Sequence, residues 1–463
     1  MKSLNISLIA ILLLSFVSIC NTSCQKDVAH DPLSKQVPEE IMTKKPDDPG
    51  FVENAMVIYW NQKASAVLEN FNPPPAQSRL FAMIQIAVHD ALNSIKPKFE
   101  RYALLNEREK DANPDAAVAS SAYWAIKGLG LGAGLPVDAW YDQSLATIPD
   151  GDSKELGKAL GKKAADAIIS NRENDGLTQA LAPVAIPDGA IPGAYRSTLP
   201  YSNPDLGLPK VKAIPNWGTA LRPFVVLSHS QFRPEGPSPV NSASYVADFN
   251  EVKTKGARVN HTRTDEETEI GFFWIEKSSI GWNRFARNAV ASHKMDAWKT
   301  ARLFALMNVA LIEGITGAFE AKYHFFYWRP ETAIRMTDDG NPLTTGDPGW
   351  LPSALEIPNA NPLMNAYTPP HPDYPSAHAA YGGAAAEILK LFFATDNTSV
   401  DQTSPTRPGV TRHYSSFSTA ARDNSLSRIY IGYHFRKTCL DGEEQGRQIA
   451  TYVFNHSFRE SGE

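Results

Sequence analysis

Three segments in the C-terminal part of the sequence carry basic, hydroxyl and imidazole side chains at short spacings. They are residues 322–330, 368–379 and 427–436. Cationic side chains and free backbone N–H groups are the donors that stabilise an oxyanion. A histidine beside them can act as an acid, a base, a nucleophile or a metal ligand. Together the segments predict one oxyanion site with proton-transfer chemistry.

In the first segment Arg329 stands seven positions after Lys322, and most of the residues between them are aromatic. On an α-helix this spacing brings the two side chains to within about 20° of each other, two turns apart. Pro330 disfavours helical geometry at the preceding residue, so we expect Arg329 at the helix end. The competing interpretation is a solvated basic stripe. The aromatic residues between the cations argue against it.

The second segment places Ser376 after a proline and before Ala377, His378 and an apolar run. This pattern predicts a helix that begins at Ser376, and the free N–H groups of a helix start form an anion site. The Ser376 hydroxyl, the Ala377 N–H and the His378 ring would then face one anion. The alternative is an ordinary N-cap with a satisfied histidine.

The third segment is less specific when taken alone. Arg428 and His434 are six residues apart, which places them about 120° apart on an ideal helix. They can meet one ligand only if it lies between them or if Gly432 loosens the turn.

In this order, Lys-x6-Arg-Pro, Pro-Ser-x-His and Ser-Arg-x5-His resemble the signature of vanadium-dependent haloperoxidases and type 2 phosphatidic acid phosphatases. The residues around Trp328 and those from Pro369 to Gly383 look like the haloperoxidase branch. So do Ser230–Pro234 and Thr268–Trp274, and the resemblance extends over the chain from Phe51 onward. It implies a fold of helical bundles and an enzyme that oxidises halide with hydrogen peroxide at a His-bound vanadate.

The resemblance also implies a role for each matching residue. The cations Lys322, Arg329 and Arg428 would neutralise the oxygens of vanadate, or of phosphate in a phosphatase. Ser376 and the Ala377 N–H would add hydrogen bonds.

Two histidines would carry the reaction. By the same resemblance, His434 is the nitrogen that bonds vanadium, or the nucleophile that attacks phosphorus. His378 is then the acid–base partner.

Several positions depart from the family pattern or adjoin the site. Ala377 stands where the family carries glycine, and Thr438, with Asp441 nearby, stands where the family often has an acid that orients the third-segment histidine. His371 occupies a position where chloride-oxidising members have an aromatic residue near the halide. Trp328 is a further candidate for the surroundings of the halide.

Two other functions use the same residues. One is a soluble acid phosphatase that cleaves a phosphate ester through a phosphohistidine. The other is a surface lipoprotein that binds an oxyanion without turnover, which the departures at Ala377 and Thr438 motivate.

Helical patterns surround the three segments. Apolar residues recur at three- and four-residue spacing in residues 57–93, 116–129, 156–171, 266–275, 298–328, 376–393 and 415–436. Seven prolines between Pro183 and Pro215 predict extended coil there. We therefore expect an all-α fold of helical bundles with long proline-rich connections. An N-terminal helical layer would span 51–291, and a C-terminal bundle with the site would span 292–463.

Composition and the N-terminal residues restrict the expected partners and cellular location of the protein. The chain has 45 basic and 50 acidic residues and no long basic run, which argues against a nucleic-acid partner. Residues 1–23 resemble a lipoprotein-type signal peptide, Cys24 its lipidated cysteine, and residues 24–50 a flexible tether. We expect a protein exported to the bacterial cell envelope, held at a membrane only by this anchor, with no later stretch long and apolar enough to span it.

Overall fold

Helices make up most of the residues described by the computed structural model, which are 52–71, 73–185, 188–198, 213–215, 217–356 and 368–462. The all-α prediction is confirmed. The predicted signal peptide, Cys24 and the tether to residue 50 lie outside the described residues. Residues 50–463 group as one compact unit, and the division near Ser292 stays a prediction.

The helices before residue 292 are α1 (Ala55–Leu68), α2 (Pro74–Ile95), α3 (Pro114–Gly128), α4 (Val137–Ala146), α5 (Asp152–Asn171), α6 (Leu177–Leu181), α7 (Trp217–Ala220), α8 (Ala243–Lys255), α9 (Asp265–Phe273) and α10 (Ser278–Ala291). Those after it are α11 (Ala297–Phe325), α12 (Pro330–Arg335), α13 (Ala377–Phe393), α14 (Phe417–Tyr430) and α15 (Arg436–His456). Antiparallel pairs join β1 (Pro183–Ala185) to β2 (Ala213–Pro215) and β3 (Asn397–Thr403) to β4 (Thr411–Ser416).

Prolines and glycines explain where the structure departs from the predicted elements. The pattern over 57–93 is broken by Pro73, which caps α2. The ends of the proline-rich stretch pair as β1 and β2 instead of remaining coil. The helix predicted over 415–436 ends at Tyr430, and α15, which the periodicity did not reveal, begins at Arg436.

Helix α11 is the central element of the core. Asp296 caps it by accepting the Lys299 N–H at 2.8 Å, and the helix packs against α2, α13 and α15. Contrary to expectation, α11 is long and apolar enough to cross a membrane by length and composition, yet 94% of that stretch is buried inside the fold. A helix that is apolar on nearly all sides is typical of a protein core.

Helices α13 and α15 approach closely because glycines face the opposite backbone. A Cβ atom at Gly446 would lie 2.1 Å from the Ala380 carbonyl oxygen, and one at Gly442 would lie 2.5 Å from the Ser376 carbonyl oxygen. No side chain fits at such distances. The crossing therefore holds the start of α13, with Ser376, against the first turns of α15.

We expect Gly446→Ala to lower the free energy of unfolding by about 1–3 kcal/mol, because the added methyl forces the two backbones apart. The loss should outweigh the higher helix propensity of alanine. Chemical denaturation measures it, with Gly462→Ala as the control, since no atom lies within 4 Å of a Cβ there. Equal stability of the two variants would contradict the close crossing.

Candidate functional site

Lys322 and Arg329 do not share a helix, contrary to the sequence prediction. Helix α11 ends at Phe325, and Phe326 adopts left-handed geometry with φ 49°. Arg329 is extended and precedes α12, which begins at Pro330. The proline excludes helical geometry before it, as expected, and the chain turns earlier than the periodicity indicated.

The two cations nevertheless converge on the second segment. Lys322 Nζ donates to the carbonyl oxygens of Pro372 at 2.8 Å and Asp373 at 2.7 Å. Arg329 Nε donates to the His371 carbonyl oxygen at 2.8 Å. Both cations are fully buried, and burial lowers their pKa values. The backbone of residues 371–373 therefore anchors both cations.

The second segment begins α13 as predicted. Ser376 is fully buried and caps the helix, its Oγ accepting the Ala379 N–H at 3.3 Å. The Ser376 N–H donates to the Thr438 carbonyl oxygen at 3.0 Å, which ties the cap to α15. Ala377 is half-buried and lies in the first turn, where helix N–H groups have no intrahelical acceptor.

The third segment reaches the site because its helix breaks. Gly432 has φ +82°, and a Cβ atom there would lie 2.6 Å from the Gly256 carbonyl oxygen, so only glycine fits this turn. The chain folds back, and the Tyr433 N–H donates to the Arg428 carbonyl oxygen at 2.9 Å. This is the loosened turn that the sequence required for Arg428 and His434 to meet one ligand.

A carboxylate from the second segment contacts His434. His434 Nδ1 lies 2.7 Å from Asp373 Oδ1, and the Thr438 hydroxyl donates to Asp373 Oδ2 at 2.6 Å. Arg329 Nη1 lies 3.1 Å from His434 Nε2. Burial raises the pKa of Asp373 to about 6, against the opposing effect of Arg329 and Lys322. Burial and the same two cations lower the pKa of His434 well below 6.5.

The sequence analysis did not identify Asp373 as a partner of His434 and considered Thr438 and Asp441 instead. Asp441, which was expected near His434, instead accepts the Tyr374 hydroxyl at 2.5 Å and pairs with Lys437 at 2.7 Å. Thr438 acts on His434 only through Asp373. A carboxylate three residues before Ser376, between two prolines, was the available signal.

The two candidates for the halide surroundings have different positions. His371 lies in the site, where its Nδ1 is 3.0 Å from Arg329 Nη2 and its ring packs on Phe319 with centroids 5.2 Å apart. Trp328 is fully buried and stacks on Tyr245 with centroids 6.2 Å apart. Its indole belongs to the packed core.

Two buried nitrogens, one on a cation and one on an imidazole that can carry a proton, indicate where an anion fits. Arg428 Nη2 and His378 Nε2 are among the buried side-chain atoms of the described residues that have no hydrogen-bond partner, as are Trp328 Nε1 and Asp373 Oδ1. The positive charge of Arg428 lowers the pKa of both His378 and His434, after the larger effect of burial. Buried polar atoms are almost always satisfied. Because the donors are cations and imidazoles, an oxyanion such as phosphate or vanadate suits them.

Comparison with known proteins agrees with this geometry. Residues 302–461, which hold all three segments, match the family model of the VCPO second helical-bundle domain. Vanadium chloroperoxidase of Curvularia inaequalis is 24% identical over 501 residues, covering 85% of this chain and 80% of the relative. The chain is thus similar to vanadium chloroperoxidase over most of its length, and its C-terminal part is similar to the second helical-bundle domain of that family.

Solved structures share the fold of this chain. A bacterial vanadium-dependent iodoperoxidase superimposes with a TM-score of 0.70 at 24% identity, covering 90% of this chain and 99% of its own. An apo-type bacterial vanadium-dependent chloroperoxidase gives 0.63 at 17% identity, covering 84% and 95%. The predicted helical-bundle architecture is therefore confirmed over nearly the whole length of both relatives.

Replacing Arg428 should reveal the anion site without any assay of turnover. Burial lowers the pKa of Arg428 to about 10, so its charge costs stability in the native state at every pH below that value. We expect Arg428→Met to raise the free energy of unfolding by about 1–3 kcal/mol and to abolish stabilisation by added phosphate. Thermal unfolding with and without phosphate measures both effects.

The matched control is Arg422→Met, in the same helix, because Arg422 is half-exposed and pairs with Glu443. It should keep the phosphate response of the wild type. A phosphate response that survives in Arg428→Met would show that the anion binds elsewhere.

Proposed function

We propose that this protein is a vanadium-dependent haloperoxidase-like enzyme that oxidises halide with hydrogen peroxide. The observation that carries the proposal is the 2.7 Å contact of His434 Nδ1 with Asp373. A proton on Nδ1, on the side of the carboxylate, would leave the lone pair of Nε2 facing Arg329 Nη1 at 3.1 Å, as a ligand nitrogen requires. The similarity to vanadium chloroperoxidase supports the same assignment.

The donors around Nε2 suit vanadate. Lys322, Arg329 and Arg428 would balance the charge of its oxygens, and Ser376 and the Ala377 N–H would donate hydrogen bonds. His434 Nε2 would bond the vanadium. When bound, vanadate supplies a Lewis acid that activates hydrogen peroxide toward halide.

His378 would move the proton of the reaction. Formation of hypohalous acid and water from halide and hydrogen peroxide consumes one proton. Burial and Arg428 lower the pKa of His378 well below 6.5, so its imidazole is neutral at neutral pH and can accept a proton at Nε2. It would then return this proton to the oxygen that leaves as water.

His371 would influence which halide is oxidised. Its ring contacts Arg329 and Phe319, and burial lowers its pKa well below 6.5, as do the charges of Arg329 and Lys322. A neutral imidazole in this position offers less attraction to chloride than a cation would.

Phosphate ester hydrolysis is the second candidate, and the Asp373–His434 contact also favours it. A carboxylate on Nδ1 makes Nε2 a better nucleophile toward phosphorus. His378 would protonate the leaving alcohol and then activate the water that opens the phosphohistidine.

The proposal also includes the location of the protein in the cell. We propose export to the bacterial cell envelope with a lipid anchor on Cys24, supported by the apolar N-terminal run and the polar tether that follows it.

Purified protein reconstituted with orthovanadate should brominate a dye in the presence of hydrogen peroxide, and His434→Ala should abolish this activity. Protein loaded with phosphate serves as the negative control. Phosphate ester hydrolysis is assayed in parallel on the vanadate-free protein, again against His434→Ala. Hydrolysis alone would replace the proposal by the phosphatase. Absence of activity in both assays would favour a non-catalytic oxyanion-binding protein.

The Asp373→Asn variant distinguishes whether Asp373 acts by orienting His434 or only through its negative charge. We expect orthovanadate affinity to fall about 10–100-fold because the partner of the ligand nitrogen is weakened. Removal of a negative charge should leave phosphate affinity unchanged or higher. Titration calorimetry with both anions measures the two effects.

Thr438 provides the matched pair for this test. Thr438→Ser keeps the hydroxyl that donates to Asp373 and should behave as the wild type, whereas Thr438→Val should weaken vanadate binding. A parallel rise for both anions in Asp373→Asn would refute the orienting role.

A further inference from the structure

His378 contacts a residue that belongs to none of the three segments. Ser278 is the first residue of α10, and its Oγ lies 2.9 Å from His378 Nδ1. The opposite ring nitrogen, Nε2, is buried and has no hydrogen-bond partner in the described part of the chain. Because the two nitrogens lie on opposite sides of the ring, the serine contact determines which way Nε2 faces.

The surroundings of Ser278 hold it firmly. The neighbouring Ser279 hydroxyl donates to Gln77 Oε1 of α2. Asn283, one turn further along α10, donates to the Ser279 carbonyl oxygen at 2.8 Å and also bonds with Asn308 of α11. These contacts are buried, so the first turn of α10 is a rigid support.

The backbone of His378 is fixed independently of its ring. Asn424 Nδ2 of α14 donates to the His378 carbonyl oxygen at 2.9 Å. The charged group that acts on the ring is Arg428, on the same helix, and interactions with the Trp274 backbone and the Asn424 side chain oppose its effect on the pKa of His378. The Ser278 hydroxyl is the group in hydrogen-bond contact with Nδ1.

We propose that Ser278 is a positioning residue for His378 and that its hydroxyl lets this ring both accept and release a proton. A hydroxyl donates to a bare nitrogen and accepts from an N–H, so it keeps its contact in either tautomer. While Nε2 is bare, the neutral ring carries its proton on Nδ1 and donates it to Oγ, and this bond persists when Nε2 takes a second proton. When Nε2 gives the proton to the departing oxygen, the ring returns to its neutral form with the same contact.

His434 has a carboxylate at the ring position where His378 has a hydroxyl. Asp373 can only accept when ionised, so it would favour a proton on Nδ1 of His434 and leave Nε2 as an electron-pair donor. Ser278 imposes no such preference on His378. The partners therefore divide the two histidines into a ligand or nucleophile and a proton carrier, and this division rests on the proposed function.

The test compares Ser278→Ala with Ser279→Ala, which removes a hydroxyl from the same helical turn without touching His378. We expect Ser278→Ala to lower kcat for dye bromination about tenfold, the effect of one lost hydrogen bond, with orthovanadate affinity unchanged. Ser278→Thr should restore kcat. Ser279→Ala should reduce thermal stability and lower kcat far less than Ser278→Ala does, because Asn283 still binds the backbone of this turn.

A second measurement does not depend on turnover. In protein labelled with 15N-histidine, and with the His378 signals assigned from His378→Gln, Ser278→Ala should shift the Nδ1 resonance of His378 and Ser279→Ala should not. Identical kcat and resonances in the two alanine variants would overturn the proposal. So would a parallel loss of orthovanadate affinity in Ser278→Ala. If the wild type lacked both activities, the proposed function would fail, and the resonances would still decide whether Ser278 holds His378.

Discussion

Burial of positive charge is the constraint on which this structure depends. Lys322, Arg329 and Arg428 are at most 5% exposed, and removing a charge from water costs several kcal/mol even after the protein relaxes. Backbone carbonyl oxygens and Asp373 offset part of that cost for the first two cations. The rest must come from packing elsewhere, and a core helix with 94% of its apolar stretch buried provides such packing.

The loop that precedes α13 connects the chemical groups to that packing. Its carbonyl oxygens bind Lys322 and Arg329, and its Asp373 contacts His434 and Thr438. A displacement of this loop would move cations, ligand nitrogen and helix start together. The glycine-mediated crossing of α13 and α15 restricts such displacement, because side-chain-free backbones leave no gap into which either helix can shift.

The sequence was sufficient to identify the cations and histidines of the site, but it did not identify the residues that contact them. The cations and histidines lie in short segments whose residue types already imply an anion site, so spacing and resemblance found them. Asp373 and Ser278 gain their roles only by contact across distant parts of the chain, which periodicity does not encode. The predicted helix over 415–436 was wrong because Gly432 adopts positive φ in a close contact with Gly256, a requirement set by tertiary packing.

A pocket that binds by charge and N–H donors discriminates poorly between anions of the same shape. Under the proposed function, tetrahedral phosphate would satisfy Arg428 and the start of α13 as well as vanadate would, and only a bond to His434 would distinguish the two. Under the proposed function, the share of active molecules follows the ratio of the two anions in the surroundings. Phosphate abundance would then act on this protein as an inhibitor, and phosphate scarcity would release its activity without any dedicated regulatory domain.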